Sequence, residues 1–598
     1  MEHGIDCQTS SWRQVLKVYR QDSDSAAAPP SNVTRIYRAI PPVGVDYHTS
    51  EAKPISQVVF YQNGIGTGSA GFYQKYVGAQ ISGATGEGLI FNIREAYAFI
   101  CSNYHQGDEI VIIGFSRGAF TARSISSLIK QMGLLTSKGL SYLVELVDDW
   151  EYQLNTTRKS PYPDKPWSKR PNFQEPAYHD KLHELKLTRR NIPIKCVAVW
   201  DTVGSLGVPT TALHLAFSRW FNKVAPKSVL KLFKSSPKEF AFVDTSVLDN
   251  IEYAFHSLGL DEKRESFTPT MWYKKEGQVL PKVLRQTWFP GVHSDVGGSY
   301  DNDDIANITL AWMVGQLETY KIITFNQDYI LRLIHHTIQN HELEMQRIRR
   351  AGTFVLDKAN TFGPLREWGL GKIHDSYSVL FRLGGSKTRT PMEYQEINKN
   401  EGATGRTLKG TNEAMHASVR VRMAMGGLGY NDEGKYESEA LKGWSYAYRE
   451  AAQPDTPHQL TQPGEVGKLK GVYWVKLNDQ DGKQVEVARM PEDDMTTFER
   501  LVLRHWTAAE DGWESTADKR ERMVDFARMK NRESPTSERK YWRHDLDGDG
   551  RDDQTLEPVA EDQEHEAEQD PKHLHLATDV QRAPVGHTPR EQITIPEI

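Results

Sequence analysis

Between residues 57 and 348, short apolar runs alternate with stretches of helical spacing. Gln57-Val58-Val59-Phe60-Tyr61 and Glu109-Ile110-Val111-Ile112-Ile113 are β-branched or aromatic runs of strand length, as are residues 194–200 (IKCVAVW) and 283–289 (VLRQTWF). Apolar residues recur at helical intervals between Leu89 and Asn103, and Phe120, Ile125, Leu128 and Ile129 continue that spacing after the second run. Helical spacing returns from Ile305 to Tyr320 and from Asp328 to Ile348. Strands alternating with helices predict an α/β fold, with a mostly parallel sheet and helices on both faces.

The pattern also divides the chain. Residues 1–30 contain SDSAAAPP and read as a loosely ordered N-terminal segment, and 31–350 hold the α/β domain. Residues 351–506 form a mixed extension rich in Gly, Arg and Glu, in which KLKGVYWVKL and QVEVARM could pair as strands. Residues 507–598 form a charged, largely disordered tail. Asp545 to Asp570 carries twelve acids against one arginine, too little apolar surface to fold on its own.

Composition narrows the function classes. A net charge of −6 over 598 residues leaves no basic footprint, so no nucleic-acid partner is expected. Cys7, Cys101 and Cys196 are too scattered for a disulfide framework and read as reduced thiols. No apolar run approaches the roughly 18 residues of a membrane span. The opening MEHGIDCQTSSWRQ has no apolar signal-peptide centre, so a cytoplasmic location is expected, with membrane contact at most peripheral.

Candidate chemistry centres on Gly114-Phe115-Ser116-Arg117-Gly118, which fits Gly-x-Ser-x-Gly. A chain of this length holds roughly 0.2 such patterns by accident, so the pentapeptide alone decides little. Its flanks decide more: a buried strand runs into it and a helix leaves it, the setting of a serine nucleophile on a sharp turn. A serine hydroxyl needs a histidine to take its proton and a carboxylate to orient that histidine. Asp201 follows the strand CVAVW, and His293 follows VLRQTWF in GVHSDVGGSY, each where a strand delivers its chain into a loop. His416, in NEAMHASVRVRM, is the chief rival among twenty histidines but lacks a clear strand-end setting. Asp295 reads as a loop-fixing residue that accepts backbone N–H groups. Arg117, opening the helix, supplies a backbone N–H for an oxyanion.

Three other motifs bear on function. Gly66-Thr67-Gly68-Ser69-Ala70-Gly71 matches GxGxxG but lacks the helix a dinucleotide phosphate requires, and reads as a loop bordering the site. Asp545 to Asp553 spaces its carboxylates like a calcium loop, but Leu556 stands where an EF-hand needs glutamate. No cofactor and no metal are expected for the serine chemistry, and the acidic run reads as a solvated tail, with a calcium loop as the alternative. Between Ala212 and Lys238, lysines and an arginine interleave with aromatics. This stretch, with Trp220, Phe221 and Lys223, reads either as a solvated helical face or as a lid that meets anionic lipid.

GFSRGAFTARS, VAVWDTVGSLGVP and RQTWFPGVHSDVGGSYDNDDIANITLAWM resemble the three hallmark blocks of the uncharacterised α/β-hydrolase family that includes the type VI secretion phospholipase effectors. The resemblance covers roughly Ser31 to Tyr320. WGLGKIHDSYSVLFRLGGSKTRTP and TNEAMHASVRVRM are similar to extensions of fungal members. It implies an α/β-hydrolase-like fold and a serine esterase acting on lipid or phospholipid esters, with Ser116, Asp201 and His293 as the triad. Family members open with a strand ending in Asp-Gly-Thr beside the oxyanion site, whereas GIDCQTSSWRQ has none. The loop around Asn63 to Gly66 is the alternative source of a second oxyanion donor. A catalytically degenerate scaffold acting as an interaction protein is the alternative function.

Overall fold

The alternating runs assemble into one eight-stranded sheet. Its strands are β1 (Trp12–Tyr19), β2 (Val43–Asp46), β3 (Lys53–Gln62), β4 (Glu109–Phe115), β5 (Ile194–Trp200), β6 (Ile251–Gly259), β7 (Val283–Phe289) and β8 (Glu413–Met415). They lie in the order β8-β7-β6-β5-β4-β1-β3-β2, and every neighbouring pair is parallel except β2 on β3. This computed structural model describes residues 12–19, 29–46, 53–62, 86–155, 157–203, 246–335, 366, 368–377, 385–397, 403–449, 471–480 and 483–509. The chain divides into two compact units, Met1–Gly548 and Asp549–Ile598, and all described residues belong to the first.

Parallel neighbours need long crossovers, and helices provide them: α1 (Asn32–Arg38), α2 (Gly86–Asn103) and α3 (Arg117–Met132) precede β2, β4 and β5. The two-residue period of the strands then feeds two cores. Val111, Ile113 and Phe115 of β4, with Cys196, Ala198 and Trp200 of β5, pack with α1 and with α5 (Asp304–Thr319), which follows the short α4 (His293–Gly297). Ile110, Ile112, Val197 and Val199 point the other way, onto α2 and α3. Each of these side chains is buried on its own face, and burial of each Val, Ile or Phe contributes about 1.5–3 kcal/mol.

The expected strands and helices within the described residues are present, and four of the sheet's eight strands were not legible. β1 sits in the middle of the sheet between β4 and β3, which corrects the expectation of a loosely ordered N-terminal segment for Trp12–Tyr19. Arg13, Gln14 and Lys17 interrupt its apolar pattern, although neighbours on both sides supply its ladder. It also changes the reading of GIDCQTSSWRQ, which leads into β1 rather than leaving it. The residues that follow β1, 20–28 (RQDSDSAAA), lie outside the described residues and also contain no Asp-Gly-Thr. β2, β6 and β8 are the other three.

The extension beyond residue 350 is built into the same core. β8 extends the sheet at β7, and Trp368, Val421, Val472, Phe498 and Trp506 join the cluster that holds β4 and β5. Asp493 accepts from Arg285 Nη1 at 2.5 Å, Thr287 Oγ1 at 2.9 Å and Trp312 Nε1 at 2.8 Å, tying the extension to β7 and α5. β10 (Gly471–Gln480) and β11 (Lys483–Pro491) pair antiparallel as the sequence suggested, with β9 (Trp444–Arg449) on β10. Helices α6 (Ala417–Ala424) and α7 (Thr497–Ala509) complete this part.

Candidate active site

The sheet order reverses between β1 and β4: the chain adds β3 on one side of β1, then β4 to β8 on the other. Open α/β sheets bind ligands at such a switch point, outside the carboxyl ends of the strands. Ser116 stands there, directly after β4. Its backbone has φ 60° and ψ −126°, a conformation that costs a non-glycine residue about 1–3 kcal/mol. The turn is tight enough that a Cβ on Gly114 would lie 2.5 Å from the carbonyl oxygen of Gly118. Ser116 N–H donates to Trp200 O at 3.1 Å, which pins the turn to the end of β5.

Asp201 directly follows β5, also at positive φ (40°), with its N–H donating to Ser257 O at 2.7 Å. His293 opens α4, four residues past β7. The three side chains meet: His293 Nε2 lies 2.7 Å from Ser116 Oγ, and His293 Nδ1 lies 2.5 Å from Asp201 Oδ2. All three are buried. Phe115 and Phe267 flank the imidazole, with ring centroids 4.7 and 4.9 Å away.

Asp201 has a second partner that sequence reasoning missed. Arg389, from the extension, donates Nη1 to Asp201 Oδ1 at 2.5 Å and Nη2 to Oδ2 at 2.8 Å, a two-pronged pair inside the protein. No spacing rule links a residue of GGSKTRTP to an aspartate 188 positions earlier. Burial by itself would raise the Asp201 pKa, but Arg389 and then His293 outweigh it and hold the carboxyl well below the usual carboxylate range. Burial lowers the His293 pKa, against the pull of Asp201, so the imidazole rests neutral near pH 7. His256, behind the acid loop, accepts from Thr202 N–H at 3.0 Å, and burial pushes its pKa down to about 3.

Asp295 does what a loop-fixing residue does. Its Oδ2 accepts from Val292 N–H at 2.9 Å, and its Oδ1 lies 2.5 Å from His374 Nδ1, away from His293. His416 follows β8, so it does have a strand-end setting, hidden by the brevity of that strand. Both its nitrogens are engaged elsewhere, with Ser418 Oγ at 2.8 Å and Glu499 Oε1 at 2.9 Å. Arg117 is the first residue of α3 and is half-buried. Trp220, Phe221 and Lys223, the Asn63–Gly71 loop and the Asp545–Asp553 run lie outside the described residues. Among the described residues, no cluster of three or more His, Cys, Asp or Glu could hold a metal, and no helix is long and apolar enough to cross a membrane.

The chain is similar to three sets of known proteins or families. A 65-residue stretch is 43% identical to the uncharacterized protein YEL023C of Saccharomyces cerevisiae, covering 10% of this chain and 9% of that one. An uncharacterized protein from Pseudomonas aeruginosa of known crystal structure is 14% identical over 51% of this chain and 45% of its own, with a TM-score of 0.23. Residues 19–316, about half of the chain and containing Ser116, Asp201 and His293, match the family described as "T6SS, Phospholipase effector Tle1-like, catalytic domain". Through that α/β domain, the chain belongs to the Tle1-like phospholipase effector catalytic family.

Proposed function

We propose that the protein is a serine hydrolase of carboxylic esters, with lipid or phospholipid esters as its substrate class. What carries the reading is the hydrogen-bonded chain from Ser116 Oγ to His293 to Asp201, at 2.7 and 2.5 Å, on a strained turn at the sheet's switch point. His293 Nε2 takes the proton as Ser116 Oγ attacks the ester carbonyl, and Asp201 holds Nδ1–H so that Nε2 is the basic nitrogen. The tetrahedral oxyanion receives the Arg117 backbone N–H. His293 then returns its proton to the leaving alcohol, and water cleaves the Ser116 acyl ester by the same steps in reverse. This chemistry requires no metal or organic cofactor.

The lipid part rests on the family description and on the basic aromatic stretch that includes Trp220, Phe221 and Lys223. Replacing Lys223, Lys227, Lys231 and Lys234 with glutamine tests it. Vesicle binding and phospholipid turnover should fall, and wild-type binding should weaken with salt, while hydrolysis of a small soluble ester is unchanged. Equal loss on both substrates would remove the membrane argument. A folded protein that turns over neither substrate would favour the non-catalytic scaffold instead.

A further inference from the structure

We infer that Arg389 is a positioning residue of the site: it orients Asp201 and sets the charge that His293 faces, so the extension outside the family-matched region completes the active centre. The inference rests on the hydrolase reading of Ser116, Asp201 and His293. Four N–H bonds of the guanidinium are committed. Nη1 donates to Asp201 Oδ1 and to Gly259 O at 2.6 Å, and Nη2 donates to Asp201 Oδ2 and to Phe267 O at 2.9 Å. With Gly259 N–H at 3.1 Å on Oδ1 and His293 on Oδ2, Asp201 accepts two donors on each oxygen. The carboxylate therefore has one orientation, and that orientation aims Oδ2 at His293 Nδ1.

The loop that carries Arg389 is itself anchored beside the site. Lys387 N–H donates to Lys263 O at 2.9 Å, and Arg264 and Ser386 form an antiparallel bridge. This places the extension against the 261–267 segment, whose Glu262 accepts from His293 N–H at 3.3 Å. Such a position exceeds what an ordinary stabilising ion pair would need.

Charge gives the second half of the role. A carboxylate buried with only a neutral imidazole would tend to take up a proton; Arg389 keeps it ionised. The same positive charge offsets the field of Asp201 at His293, so the imidazole takes up a proton only at lower pH. Among the described residues, the other charged or titratable groups facing this pair are Glu262, Arg264, His256 and Tyr394. Glu262 is already paired with Arg264 at 2.7 Å, and His256 stays neutral above about pH 3, so Arg389 is the principal compensating charge on Asp201.

The test measures the rate of fluorophosphonate labelling of the full chain against pH for wild type, Arg389→Met and Arg389→Lys, with folding checked by near-UV circular dichroism. Arg389→Met should move the acid limb of the labelling rate upward by about one pH unit, because the Asp201–His293 pair then binds its proton at higher pH, whichever of the two carries it. Arg389→Lys keeps the charge and loses the fork. Its limb should stay at the wild-type pH while the plateau rate drops about tenfold. A folded Arg389→Met variant with an unmoved limb overturns the inference, as does Arg389→Lys with a wild-type plateau. If Arg389→Met fails to fold, the lysine variant decides alone. A folded wild type that takes up no probe overturns the hydrolase reading, and this inference with it.

Discussion

At the residue scale, the buried pair of Asp201 and Arg389 changes what a conservative substitution does. The sequence alone predicts that Asp201→Asn folds normally and loses only turnover. With Arg389 present, the amide leaves a guanidinium inside the protein without its counter-charge, a cost of about 3–5 kcal/mol in buried pairs. Asp201→Asn should therefore lower the urea midpoint and also cut kcat by about 10⁴, the loss known for the wrong imidazole tautomer. Asp295→Asn should keep more activity, since Asp295 bonds Val292 N–H and His374 rather than His293. If Asp295→Asn proves the more damaging to kcat, the acid has been assigned to the wrong residue.

Protonation at single residues also fixes the direction of pH effects. The His293 pKa is lowered, so the acid limb of kcat/KM should fall below the ordinary histidine value of about 6.5. His256 binds its proton near pH 3 when folded and near about 6.5 when unfolded. Between those values the unfolded chain holds the extra proton, so stability should fall with decreasing pH by about 1.4 kcal/mol per unit. Asp201 has the opposite charge type: its contribution is present above about pH 4 and is lost only in stronger acid. A stability curve flat from pH 6.5 to pH 4 would contradict the buried neutral state of His256.

At the element scale, legibility followed period and length. β4, β5 and β7 are seven-residue strands with continuous apolar runs, and the sequence located both them and the residues at their ends. β8 has three residues, too few for any period to register, so the strand-end position of His416 was hidden. The residues that meet Ser116 could still be singled out because strand, loop glycine and residue type agreed at Asp201 and His293. Arg389 could not be chosen, since its partner is set by tertiary packing.

Helix α4 offers a test at this scale. A Cβ on Gly297 would clash with the ring of Phe115, whose centroid lies 4.7 Å from that of the His293 imidazole. Gly297→Ala should cost about 1–3 kcal/mol as overpacking. It should also reduce turnover by about tenfold to a hundredfold, because the displaced ring pushes on the base. A stable, fully active Gly297→Ala protein would show that Phe115 does not hold His293.

At the scale of the whole molecule, the family-matched region shares its core and its candidate site with the extension. Trp368, Val472, Phe498 and Trp506 occupy the same core as β4 and β5, Asp493 clamps β7 to α5, and Arg389 neutralises Asp201. A chain ending at residue 350 should be insoluble or unfolded, whereas removal of residues 549–598 should leave the thermal midpoint and ester turnover unchanged. Folded, active protein from the shorter chain would refute the role given to the extension.

The most direct measurement of the central claim is to react the folded protein with a fluorophosphonate and locate the adduct by peptide mass spectrometry. The account predicts one adduct, on Ser116, absent in Ser116→Ala and slowed at least a thousandfold, to order of magnitude, in His293→Gln. An adduct on another residue, or a folded wild type that takes up none, would contradict it.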